Sequence, residues 1–297
     1  MEKILNQGGL ITALLTPLKN NKLDLLSFER LIELQLADNG ADSILLFGTT
    51  GEPHSLTASE KRILFFTAKE IVKYKIPIIA GVADIATNKA LLTALTYRKW
   101  NADGLLVITP YYYKVTNKGL YSHFYTIAKN TNLPIILYNV PKRTGLDISQ
   151  NKSLIKSLAL IKNIIGIKQS SSDIKTFKNL INIDNFKVFC GNDEAIEEQV
   201  NNGACGAISV ASNVCPTAIK NLLTASKNGS GASINTKQFF NQLFELLALE
   251  PNPITIKYFA SKIIGISNEL RLPHTTCEQK NKDLIDKFIY KNKEAIK

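Results

Sequence analysis

The chain is expected to fold as a (β/α)8 barrel followed by a small helical C-terminal domain, and three observations carry that expectation. Short runs rich in Val, Ile and Leu recur eight times, near-continuous in apolar residues as in strands buried on both faces. Segments with helical patterning fall between them, and each interval is long enough for a loop and one crossover helix. After the eighth run the pattern is helical only. Alternation that stops without a further strand favours a closed barrel over an open, eight-stranded doubly wound sheet, the rival reading.

The expected strands cover residues 10–15, 43–47, 77–80, 104–108, 134–138, 164–168, 187–190 and 206–210. Between the first two, residues 27–39 place apolar side chains at 28, 31, 32, 34 and 36, and Gly40 follows as a stop signal. Thr57-Ala-Ser-Glu60 matches a capping box opening a helix that runs to Val72. Residues 117–130 and 193–202 read as further helices. Beyond Pro216 come only the helical segments 239–249, 255–264 and 281–292, so the expected division is a barrel over 1–224 and a helical domain over 225–297. The stretch Asn228-Gly-Ser-Gly-Ala-Ser233 lies between helices rather than after a strand, which suits a helix–helix turn and not a phosphate cradle.

Composition excludes several classes. With 297 residues, 45% hydrophobic and 21% charged, the chain can bury a sizeable core as a soluble protein. No apolar run approaches the ~18 residues needed to span a bilayer. Met1 to Gly9 shows no basic region followed by an apolar core, so a cytoplasmic protein is expected. The four cysteines form no C-x-x-C pair and read as reduced, buried thiols. The three histidines, His54, His123 and His274, lack metal-ligand spacing, and no metal is implied. The formal charge of +11 raises the question of nucleic acid, but the lysines are spread along the chain without a dense basic block. A solvated basic surface that helps collect small anions is the reading preferred over a polyanion-binding protein.

In such a barrel the chemistry sits at the C-terminal ends of the strands. There the second strand leads into Gly48-Thr49-Thr50-Gly51-Glu52, the fourth into Thr109-Pro110-Tyr111-Tyr112-Tyr113, and the fifth into Tyr138-Asn-Val-Pro-Lys-Arg143-Thr-Gly145. The sixth ends in Lys168, and the seventh runs into Gly191-Asn192-Asp193. A lysine ending an apolar strand is costly to keep as a cation, which favours the neutral nucleophilic amine, and such an amine can attack a ketone to form an imine. The same lysine can also snorkel to water or pair with a carboxylate. The Gly–Thr turn offers N–H groups and hydroxyls to a carboxylate or phosphate, yet is often only a loop. Tyr138 can relay protons or be a core tyrosine. Arg143 can clamp a carboxylate or be a surface arginine.

From Ile11-Thr-Ala-Leu-Leu-Thr-Pro17 to Leu270-Arg-Leu-Pro273 the chain resembles the dihydrodipicolinate synthase / N-acetylneuraminate lyase family of class I aldolases. Gly-Thr-Thr-Gly-Glu at 48–52, Tyr-Asn-Val-Pro-Lys-Arg-Thr-Gly at 138–145 and Glu250-Pro-Asn-Pro253 resemble its synthase branch. The sialic-acid lyases usually carry Ser in place of Thr49 and lack the arginine. The resemblance implies that Lys168 forms a Schiff base with pyruvate and that Thr49 and Thr50 hold its carboxylate. Tyr138 would be the general acid/base, relaying protons through Thr50 and Tyr112, the latter contributed by a neighbouring subunit. Arg143 would bind the carboxylate of L-aspartate 4-semialdehyde, and Gly191 and Ile208 would shape the pyruvate pocket. It further implies a homo-oligomer, usually a tetramer, with small-molecule substrates, no cofactor, no nucleic acid and no membrane. The sister activity, an N-acetylneuraminate or 2-keto-3-deoxy sugar acid lyase, would keep Lys168, Tyr138 and the threonines without needing Arg143.

Several positions depart from that pattern. Tyr113 stands where asparagine is common, Val115 where proline is, Gln169 for glutamate and Asn192 for aspartate. Lysine-sensitive members use histidine, asparagine and glutamate at positions matching Ala58, Lys61, Ile85 and Lys89. Here Ile85 and Lys89 replace an amide and a carboxylate, so weak or absent inhibition by L-lysine is expected.

Overall fold

The computed structural model of the protein describes residues 8–171, 173–230 and 233–293. Eight parallel strands are present: β1 (Leu10–Ala13), β2 (Ser43–Leu46), β3 (Ile78–Val82), β4 (Gly104–Ile108), β5 (Ile135–Asn139), β6 (Ile164–Gln169), β7 (Lys187–Cys190) and β8 (Gly206–Ser209). Their order, β1-β8-β7-β6-β5-β4-β3-β2, is that of a closed barrel. Each falls on one of the expected apolar runs, with ends differing by at most two residues. Nearly every strand residue is buried, as the unbroken hydrophobic runs require when side chains alternate between barrel interior and helix layer.

By contacts the chain divides into two compact units, residues 77–208 with the segment ending at Gly9, and Leu10–Ile76 with the residues from Ser209 onward. In the first, β3 to β8 are linked by α3 (Thr87–Lys99), α4 (Asn117–Thr131), α5 (Lys152–Ala159), α6 (Ile174–Ile181) and α7 (Ile196–Asn201). Ile108 of β4 pairs with Tyr138 of β5, and Tyr138 pairs with Lys168 of β6. Paired residues in a parallel ladder project to the same face, so Tyr138 and Lys168 are side-chain neighbours by construction.

The second unit holds β1 and β2, α1 (Leu25–Leu36), α2 (Ala58–Val72) and the helices α8 (Pro216–Lys227), α9 (Ile234–Leu247), α10 (Ile254–Ile263) and α11 (Gln279–Lys291). Helix α1 starts earlier than expected because Asp24 caps it, its carboxylate accepting from Ser27 N at 3.1 Å. The expected capping box on α2 is present in both halves. Thr57 Oγ1 accepts from Glu60 N at 3.2 Å and Glu60 Oε2 accepts from Thr57 N at 2.9 Å. Of the glycine-rich stretch 228–233, Gly231 and Ala232 lie outside the described residues, as does most of the start, residues 1–7. Its flanks are the end of α8 and the start of α9.

The four cysteines are thiols, three buried and Cys205 half-buried. Among the described residues no His/Cys/Asp/Glu cluster has the make-up of a metal site. No helix among them is long and apolar enough to cross a membrane.

Candidate active site

Lys168 is the penultimate residue of β6 and Tyr138 the penultimate residue of β5. Both are buried, Lys168 5% exposed and Tyr138 8%. Lys168 Nζ stands 4.6 Å from the centroid of the Tyr138 ring. This placement bears on the two structural roles open to Lys168, exposure to water and pairing with a carboxylate. At 5% exposure the ammonium does not snorkel into water, and no ion pair of the described residues includes it. Lys168 is therefore a buried lysine held against a phenol ring with no carboxylate partner among the described residues.

The strand ends around this pair are closely built. Gly191 follows β7, and its N–H donates to Gln169 O at 2.9 Å. A Cβ at Gly191 would lie 2.1 Å from Ser170 Oγ and 2.8 Å from Gln169 O, so only glycine permits this approach. Ile208 is 1% exposed on β8. The neighbouring thiol, Cys190, is not a competing nucleophile. Burial holds it well above the ordinary thiol range, and its Sγ donates to Asn192 O at 3.1 Å.

Arg143 lies on a single helical turn, Pro141–Thr144, and its side chain is exposed. The segment that follows is tied to β5 and β6. Asn139 Nδ2 donates to Asp147 Oδ1 at 2.7 Å and to Gln169 Oε1 at 2.8 Å, while Asn139 Oδ1 accepts from Ile148 N at 3.2 Å. Gln169 Nε2 donates to Ser149 Oγ at 3.1 Å. Asn139 and Gln169 directly follow Tyr138 and Lys168 in sequence, so they face the opposite side of the sheet and anchor the Arg143 loop from behind. Gln169, read from the sequence only as a replacement for glutamate, is therefore a structural link.

Tyr112 is 87% exposed and Tyr113 60%, the two rings 5.7 Å apart. Tyr112 carries a positive φ of 70°, a conformation that costs a bulky residue on the order of 1–3 kcal/mol. Within one chain its hydroxyl is thus at the surface. It is Tyr111 that turns inward, donating to Ala83 O at 3.1 Å.

The Gly-Thr-Thr-Gly-Glu turn belongs to the second unit and follows β2. Thr49–Gly51 form one 3-10 turn, and Glu52 ends it in the left-handed region at φ 53°. Thr50 is 2% exposed and Thr49 half-buried. Gly51 O accepts from Thr16 Oγ1 at 2.8 Å. Two residues assigned no role from the sequence hold this turn. Asn252 Nδ2 donates to Thr50 Oγ1 at 3.0 Å, and Lys257 Nζ donates to Glu52 Oε1 at 2.5 Å. Burial pulls the Lys257 ammonium below its ordinary range, and the Glu52 charge opposes that pull. Arg271 completes the surround, forking onto both oxygens of Glu60 at 2.6 and 2.9 Å and donating to Ser55 O and Asn21 O. The bidentate guanidinium is the main reason the Glu60 carboxyl titrates only near about 2.

Comparison with known proteins settles the family. A family model described as the dihydrodipicolinate synthetase family matches residues 6–292. The chain belongs to the dihydrodipicolinate synthetase family. It is 38% identical over 289 residues to a relative named 4-hydroxy-tetrahydrodipicolinate synthase from Alkaliphilus oremlandii, covering 96% of this chain and 98% of that one. Among solved structures, dihydrodipicolinate synthase from Thermotoga maritima superposes with a TM-score of 0.90 at 35% identity, covering 96% and 98% of the two chains. The chloride-inhibited enzyme from Acinetobacter baumannii, complexed with pyruvate, gives 0.89 at 34%, with the same coverage. Family membership establishes the barrel and a lyase of the 4-hydroxy-tetrahydrodipicolinate synthase type, and favours that reading over the sugar-acid lyases.

Proposed function

We propose that the protein condenses pyruvate with L-aspartate 4-semialdehyde to 4-hydroxy-tetrahydrodipicolinate, for lysine and diaminopimelate synthesis, with Lys168 as the covalent residue. The observation that carries this reading is the buried Lys168 amine held 4.6 Å over the Tyr138 ring without a carboxylate partner. In the proposed path the Lys168 amine adds to the pyruvate ketone and water leaves, giving an imine. Loss of a methyl proton gives an enamine, and its carbon attacks the aldehyde. The semialdehyde amine then attacks the imine carbon, closing the ring and releasing Lys168. The imine itself is the electron sink, so no cofactor enters the path.

Roles follow the residues. Thr49 and Thr50 present N–H groups and hydroxyls to the pyruvate carboxylate, and Gly191 and Ile208 shape the space for its methyl. Tyr138 moves protons, relayed through Thr50 and Tyr112. Arg143 takes the semialdehyde carboxylate. The 87% exposure of Tyr112 suits a residue completed by a neighbouring copy, so we take a homo-oligomer, usually a tetramer, as the active form, working in the cytoplasm. We also retain a division into a catalytic barrel over 1–224 and a helical domain over 225–297. With Ile85 and Lys89 in place of an amide and a carboxylate, L-lysine is expected to inhibit weakly or not at all; sub-millimolar inhibition in a steady-state assay would contradict this.

The test is intact-protein mass after incubation with pyruvate and borohydride, with peptide mapping and a parallel semialdehyde assay. A reduced adduct on Lys168 together with turnover supports the proposal. An adduct without turnover moves the chain to a sister aldolase, and no adduct removes the mechanism.

A further inference from the structure

The start of α10 grips the Gly-Thr-Thr-Gly-Glu turn at two successive points. Asn252, just before the helix, bonds to Thr50, and Lys257, at the end of its first turn, bonds to Glu52. Both grips are protected. Thr50 is 2% exposed, and the Lys257 and Glu52 side chains are 0% and 2% exposed. A buried ion pair contributes little net stability over well-packed apolar residues, so its value lies in the single geometry it enforces. Here that geometry is the left-handed Glu52 that closes the turn, with Arg271 N at 3.5 Å from its second carboxylate oxygen.

The contact to Thr50 has a directional consequence. A threonine hydroxyl has one proton and accepts through its lone pairs. Because Asn252 Nδ2 donates to Thr50 Oγ1, the threonine's own proton is not consumed in that bond and stays available to another acceptor. An acceptor at position 252 would do the opposite and capture the proton.

We propose that Asn252 is a positioning residue of the reaction: its amide N–H fixes Thr50 as a proton donor, and the Lys257–Glu52 pair holds the turn on which that hydroxyl sits. The inference rests on the reading of Thr50 as a relay, and it adds the C-terminal helical region to what sets the proton path.

Two variants test it. Asn252→Asp is nearly isosteric but only accepts when ionised, so it captures the Thr50 proton. Asn252→Leu removes donor and acceptor alike. Losing the orienting bond lowers kcat roughly tenfold in Asn252→Leu. Holding the relay proton lowers it about a hundredfold in Asn252→Asp at pH 8. As pH falls, the introduced carboxyl protonates and regains a donor, so the rate of Asn252→Asp relative to wild type rises. Glu52, Glu269 and Arg271, which face Lys257 beside this turn, set where the introduced carboxyl titrates, while their own titrations are common to both proteins and drop out of that ratio. Trapping of the pyruvate adduct on Lys168 in every variant checks that each is folded. Equal losses in the two variants with a ratio flat in pH overturn the inference and leave Asn252 as packing. A wild-type protein that traps no adduct overturns the functional reading itself, and the inference with it.

Discussion

Tyr138 and Lys168 are partners in the β5–β6 ladder, and the Lys168 amine rests 4.6 Å over the Tyr138 ring. The ladder register alone makes them neighbours, so the pairing is as rigid as the sheet. The phenol face holds the Lys168 side chain in place, and Tyr138 is the other ionisable side chain that the two strands supply.

On the proposed mechanism, substitutions at these two positions separate imine formation from proton transfer. Tyr138→Phe keeps the ring beneath Lys168 and removes only the hydroxyl. Its kcat is expected to fall about 10²–10⁴-fold while the borohydride-trapped pyruvate adduct still forms. Lys168→Met is expected to lose both. Mass spectrometry of trapped protein beside a steady-state assay reads the two effects.

Arg143 stands on a loop anchored by Asn139 and Gln169, and its side chain is exposed where that of Lys168 is buried. Arg143→Ala should leave pyruvate trapping intact and weaken the semialdehyde by about 1.5–3 kcal/mol, the worth of a charged hydrogen bond. That appears as a rise of roughly ten- to hundredfold in KM for the semialdehyde alone. An unchanged KM would return the chain to the sugar-acid lyase reading.

The buried pair under the Thr50 turn makes a stability prediction. Lys257→Met leaves the Glu52 charge buried without its partner and should cost about 3–5 kcal/mol in denaturant unfolding. Adding Glu52→Leu removes that stranded charge and should recover most of the loss. A single variant as stable as wild type would show that the pair is not buried in solution.

His123 sets an acid limit. It is 2% exposed, Thr87 Oγ1 lies 3.0 Å from its Nδ1, and burial lowers it from 6.5 to about 4. Between those values the unfolded chain binds a proton that the folded chain refuses, so stability falls as pH drops through that window. Glu60 extends the loss, because its folded carboxyl titrates near about 2 and its unfolded one near 4.5. Thermal unfolding against pH should show this decline, and His123→Leu should flatten it between pH 6.5 and about 4.

Much of this protein is legible without coordinates. Apolar runs and helical periodicity are local signals, and they locate all eight strands and the α2 capping box to within a residue or two. Lys168, Tyr138, Thr50 and Gly191 become candidates for the same reason, since each ends or follows a strand and a barrel places its site at those ends.

What the tertiary structure alone decided are the partnerships. Asn252 meets Thr50 across 202 residues, Lys257 meets Glu52 across 205, and Arg271 meets Glu60 across 211. None of these leaves a trace in spacing or propensity, because a buried lysine inside a helical pattern reads like any solvated one until its partner is known. The burial of Lys168 without a carboxylate is of the same kind. Local sequence determines which elements form and where their ends fall. Which charges and hydroxyls those ends share is settled only when distant segments exclude water together, since that desolvation gives the pairing its energy.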